Sequence, residues 1–107
     1  MDKRRIVEEA LADLEVEQVN IMDGLDSAIA GIGCQYGKPT LVIYDEELVI
    51  KSLVDEHDMK LDEAWEYYNF NIKHAYYGEG TPIIMQSMDT MAEHFGFNNA
   101  DMLTEEA

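Results

Sequence analysis

Cysteine occurs once in this sequence, at Cys34, so no internal disulfide can brace the chain and a reducing, cytoplasmic compartment is the expectation. Bases are scarce as well: 7 Lys and Arg stand against 23 Asp and Glu, a formal net charge of −16. Lys3, Arg4 and Arg5 are adjacent, and only Lys38, Lys51, Lys60 and Lys73 follow them. Such an anion repels DNA, RNA and anionic membranes, which argues against direct binding to any of these, and a charged partner should be basic. Long apolar runs are missing too. Leu41 to Tyr44 and Ile83 to Met85 fall far short of the roughly 20 residues that a membrane-crossing helix needs. The basic start leads into Glu8, Glu9 and Asp13 instead of an apolar core, so no secretion signal is expected.

Proline occurs twice, and no Pro-, Gly- or Ser-rich linker divides the chain. One acidic domain is expected over residues 1–97, with a polar acidic tail over residues 98–107. What is present is a globular composition, 47% hydrophobic and 28% charged, with Leu, Ile, Val and Phe spread along the chain.

Periodicity places the elements. Ile6, Val7, Ala10, Leu11 and Leu14 recur at helical spacing and predict an amphipathic helix over 3–14. Val16 to Met22 reads as a strand, and Asp23-Gly24 as the turn of a hairpin whose second strand, Ala28 to Cys34, is rich in glycine. Those glycines equally mark a bulge. After the break at Gly37-Lys38-Pro39, Thr40 to Tyr44 predicts a central strand covered on both faces. Asp45 supplies an N-cap to a second helix burying Val49, Ile50, Leu53 and Val54, with Glu46 and Glu47 in its first turn and an end near Glu56 to Asp58. Leu61, Ala64, Trp65, Tyr68 and Ile72 predict a third helix. Thr81 to Met85 reads as a strand that Pro82 confines to an edge or a strand start, and Met88, Met91, Ala92 and Phe95 as a last helix stopped at Gly96. The fold class is α+β: a small sheet of three or four strands with helices packed on one face.

Tests for chemistry return little. Asp55-Glu56-His57-Asp58 offers metal-ligating residue types, but at a helix end their ordinary role is a solvated terminus, and His74 and His94 match no zinc spacing. Cys34 reads as a small core residue, and Ser27, Ser52 and Ser87 lie in no nucleophile elbow. Gly31-Ile32-Gly33 lacks the remainder of a dinucleotide fingerprint. No catalytic residue, cofactor or metal is expected. Two features do suggest contact. Met85, Met88 and Met91 are spaced by three, which fits core filling or a soft surface. Tyr67-Tyr68 and Tyr76-Tyr77 are adjacent pairs that cannot both face inward, so at least one of each is exposed.

The charge has the magnitude of nucleic acid. A domain of this length is roughly 30–35 Å across, and duplex DNA of that length carries about 18–20 phosphates at one charge per ~1.7 Å. The expected contact residues are Asp55, Glu56, Asp58, Asp62, Glu66, Tyr67 and Tyr77.

Short pieces between Asp23 and Met85 carry a resemblance. They are Asp23-Gly24-Leu25-Asp26-Ser27-Ala28-Ile29, Tyr44-Asp45, Glu63-Ala64 leading to Phe70-Asn71, and Ala75-Tyr76-Tyr77-Gly78-Glu79-Gly80-Thr81-Pro82. In these the chain resembles small acidic bacteriophage-encoded proteins without established function. The resemblance implies a phage setting, the host cytoplasm, and Ser or Thr where Lys60 stands, which would form a capping box with Glu63. It implies no catalytic residues. The expected function is a non-enzymatic stoichiometric binder of a host or defence protein with a basic, nucleic-acid-binding surface, in the manner of anti-CRISPR proteins. A self-associating accessory protein, such as a homodimer joined through methionine and tyrosine surfaces, is the alternative. An enzyme with an unfamiliar site built from Cys34, His57, His74 or the carboxylates comes third.

Overall fold

In the computed structural model, which describes residues 1–97, three of the helices begin at a residue whose side chain caps them. Asp2 accepts from the Arg5 N–H at 3.1 Å and opens α1 (Lys3–Asp13). Asp45 accepts from the Glu47 and Leu48 N–H groups at 2.9 and 3.3 Å and opens α2 (Glu46–Asp55). Ser87 accepts from the Thr90 N–H at 3.1 Å and opens α4 (Met88–His94). Helix α3 (Leu61–Tyr68) has the weakest start: Lys60 stands at its N-cap and cannot accept a hydrogen bond. Half of the capping box survives, because Glu63 still accepts from the Lys60 N–H at 3.2 Å. Past Tyr68 the helix widens into a π turn (Asn69–Lys73), which carries Ile72 inward and leaves Lys73 at the surface.

Among the described residues, three strands form a mixed sheet in the order β1 (Ile29–Gly33), β2 (Leu41–Asp45), β3 (Ile83–Met85). β1 runs antiparallel to β2, with Ile32 opposite Val42, and β3 runs parallel to β2, with Tyr44 opposite Ile84. The expected central strand is therefore central, and the strand following Pro82 lies at an edge. The turn joining β1 to β2 needs Gly37 at φ +78°, where the Lys38 N–H reaches the Gln35 carbonyl at 2.9 Å. The register slips between Ile29 and Gly31, so the glycine-rich stretch does contain a bulge.

Val42 and Tyr44 face one side of β2, and the helices cover that side. Val7 and Leu11 of α1, Val49, Ile50 and Leu53 of α2, and Ala64 and Tyr68 of α3 join them in one core. At about 25 cal/mol per Å² of buried apolar area, this shared cluster is the main favourable term in folding. The chain is an α+β domain with helices on one face of a three-stranded sheet.

Several expectations need correction. Val16 to Met22 forms no strand and no hairpin. It is an irregular strap tied to separate elements: the Val16 N–H to the Leu11 carbonyl, the Asn20 N–H to the Gly80 carbonyl at 3.0 Å, and the Met22 N–H to the Tyr44 hydroxyl at 2.8 Å. Its apolar residues Val16, Val19, Ile21 and Met22 still pack on the core, so β-like composition here served burial without a ladder. Strand β2 is sealed on one face only, since Leu41 and Ile43 remain half-buried. Cys34 is exposed just after β1 and is not a core residue. Of the α1 stripe only Val7 and Leu11 are buried, while Ile6 and Leu14 face water. Leu61, Trp65, Met88 and Phe95 are likewise exposed members of their stripes. The acidic tail over 98–107 lies outside the described residues.

Candidate functional site

The exposed side of α3 carries the acids and aromatics that sequence reading selected. Asp62, Glu66 and Tyr67 line a shallow groove of ≈ 390 Å³ with Glu63, Phe70 and Asn71. Phe70 is 78% exposed, on the π turn, and Tyr67 is 43% exposed. Tyr67 also borders a second cavity of ≈ 360 Å³, whose far side holds Tyr77 and His57. Asp62, Glu66, Tyr67 and Tyr77 thus belong to one continuous surface, joined through Tyr67.

The remaining three acids are placed elsewhere. Asp55 pairs with Lys51 at 3.3 Å along α2. Glu56 accepts from the Ser27 hydroxyl at 2.7 Å beside the N-terminal segment. Asp58 stands in the loop before α3 with φ +56°, a left-handed conformation that Asp tolerates better than most residues. His57 turns its Nε2 onto the Gly24 carbonyl at 2.8 Å. The run Asp55-Glu56-His57-Asp58 is therefore dispersed. Among the described residues, no group of three His, Cys, Asp or Glu side chains converges closely enough to hold a metal ion.

Cations are distributed unevenly. Arg4 lies near Asp23, Asp26 and Glu8 at 3.0, 3.6 and 3.5 Å, and the hydrogen bond with Asp23 foremost holds its guanidinium above the usual pKa. Arg5 pairs with Glu9, and Lys3 donates to the Ser27 carbonyl at 2.8 Å. Among the described residues, no ion pair involves Asp58, Asp62 or Glu66. The acids at the start of α3 also favour the positive end of its helix dipole, a structural role compatible with contact.

Sequence reading missed one constellation. Glu46, expected as a helix-start charge, is only 5% exposed. Its Oε2 accepts from the Tyr68 hydroxyl at 2.5 Å, its Oε1 accepts from the Gln86 amide at 3.2 Å, and Lys73 Nζ stands 3.8 Å away. Burial above all, then the hydrogen bond and charge of Glu46, holds the Tyr68 phenol well above its ordinary pKa, so it stays a donor. The signal was present: a tyrosine inside an apolar stripe needs an acceptor for its hydroxyl. Glu46, Lys73 and Gln86 line a cavity of ≈ 540 Å³ walled by Ile72, Ile84 and Met91.

Comparison with protein-family models, with curated proteins and with solved structures finds no match. Among the described residues, no helix is long and apolar enough to cross a membrane.

Proposed function

We propose that this protein is a non-enzymatic, stoichiometric binder whose α3 face occupies the basic, nucleic-acid-binding surface of another protein. In the phage setting that the sequence resemblance implies, that partner is a host or defence protein, engaged after the manner of anti-CRISPR proteins. One observation carries the reading: Asp62 and Glu66, in no ion pair among the described residues, flank exposed Tyr67 and Phe70 in one groove. Aromatic side chains supply contact area at low entropic cost, and a rim of uncompensated acids steers and orients a basic partner.

The test is affinity capture on the full chain, with low-salt and then roughly 0.5 M salt washes and with added DNA or RNA as competitor. A basic nucleic-acid-binding protein should be retained at low salt, released by salt, and displaced by nucleic acid. The Asp62→Lys/Glu66→Lys variant should lose it, whereas Glu9→Lys/Asp13→Lys on α1 should keep it. Equal loss from both variants would reduce the effect to net charge and sink the reading.

A second reading is self-association, favoured by the exposure of Tyr76, Tyr77, Met88 and Phe95. Light scattering across protein concentrations decides it, and a monomer at the highest concentration removes it.

A further inference from the structure

We propose that the cavity between the start of α2, the π turn and β3 is a binding site for an organic ammonium group attached to an apolar body. The cation would reach the Glu46 carboxylate, and the carbon body would lie on Ile72, Ile84 and Met91. This site shares no lining residue with the α3 groove, and it does not depend on the function proposed above.

A helix-start charge does not need burial, and Glu47, the next residue, does that work while exposed. Glu46 is instead drawn inside, where it accepts hydrogen bonds from Tyr68 on α3 and Gln86 after β3 and pairs with Lys73 on the π turn. Both hydrogen-bond donors are neutral. Lys73 Nζ, the one formal cation, stands beyond hydrogen-bond length at 3.8 Å, and its side chain is 43% exposed. A carboxylate taken out of water is stabilised most by a close cation, and Lys73 fills that place loosely. The space beside it measures ≈ 540 Å³, within the roughly 300–1,000 Å³ of small-ligand pockets. Its walls combine apolar side chains with polar groups in nearly equal measure, so it can take a ligand with both an apolar and a polar part. A widened π turn supplies Ile72 and Lys73, and such turns recur at functional positions.

A carboxylate lining a cavity that also offers apolar side chains selects an amine over an alcohol of equal shape. Lys73 then acts as an internal stand-in, which an incoming ammonium displaces toward solvent. The ammonium belongs either to a free arylalkyl amine or to a lysine side chain presented by a protein.

Phenethylamine, its neutral counterpart phenethyl alcohol, and Nα-acetyl-lysine methylamide should each be titrated into the full chain while amide resonances are followed by NMR. The expected result is saturable shifts at Glu46, Ile72, Lys73 and Gln86 with an ammonium compound and not with the alcohol. Tighter binding of phenethylamine assigns the free amine, and tighter binding of the lysine derivative assigns a lysine side chain. Glu46→Gln should weaken binding about tenfold or more, the scale of one charge-assisted hydrogen bond. Lys73→Met, at a half-exposed position whose loss the fold should tolerate, should tighten it several-fold by removing the competing cation. Asp62→Asn/Glu66→Gln should leave it unchanged. Equal response to amine and alcohol, shifts confined to the α3 acids, or weaker binding by Lys73→Met would each overturn the assignment.

Discussion

Helix α2 opens on Glu46 and Glu47 behind an aspartate cap, and α3 opens on Asp62 and Glu63 behind a lysine that cannot cap. The two helices are neighbours and similarly acidic, yet they direct their charge oppositely. α2 buries Glu46 with Val49, Ile50, Ser52 and Leu53, so that one carboxylate links it to α3, the π turn and the segment after β3. α3 buries only Ala64 and Tyr68 and leaves Asp62, Glu66, Trp65 and Tyr67 facing water. The difference teaches that a net charge of −16 is not one property. Part of it is internal structure, and part is surface free to meet a partner.

The contrast can be broken most severely at its apolar root. Leu53→Ala on α2 should cost about 2–5 kcal/mol in urea unfolding, because the site sits in a closed cluster. Leu61→Ala on α3, exposed, should cost far less, and equal losses would erase the distinction. Next in size, Tyr68→Phe removes a donor from the buried carboxylate and should cost about 1–3 kcal/mol by the same measurement. Gly80→Ala tests the strap. A Cβ there would meet the Gln18 carbonyl oxygen, so the strap must shift, at roughly 1–3 kcal/mol of overpacking.

Alkaline titration sharpens the same point with a smaller effect. The Tyr68 phenol is held above its ordinary value in the folded state, first by burial and then by Glu46. Its contribution to stability is complete below the unfolded tyrosine pKa of about 10 and is lost as pH rises above that. Tyr68→Phe should therefore flatten the fall in stability above that pH, and an unaltered slope would show that Tyr68 titrates as it does unfolded. Smallest on stability is Asp62→Lys/Glu66→Lys, expected to cost no more than about 1 kcal/mol, chiefly through the reversed charge at the start of α3. The same change should abolish partner capture, so its two readouts separate fold from function.

Much of the fold was legible because it rests on local signals. Asp45 as a cap, the apolar run of β2, Pro82 before an edge strand and the glycine after α4 each act within a few residues. The strap misled because Val16, Val19 and Ile21 pack half-buried against the core from an irregular path fixed by Gly80 and Tyr44, partners remote in sequence. Cys34 misled because small apolar residues precede it, and the strand ends before reaching it. For the site, exposure of Tyr67 followed from its adjacency to Tyr68. The division of Asp55, Glu56 and Asp58 from the α3 groove depended on Lys51 and Ser27, a helical neighbour and a distant residue that composition does not rank. Glu46 escaped notice because its three partners come from distant segments.

The mixed sheet also sets an order of assembly. β1 and β2 meet across a short turn, whereas β3 reaches β2 only after α2, α3 and the π turn have been laid down between Asp45 and Ile83. Closing that larger loop costs more chain entropy before any strand contact repays it, so β3 should join late in folding. In the native state the same hierarchy runs backwards. The three-residue β3 should open locally first, and its amides should exchange with deuterium ahead of those in β2 that pair with β1.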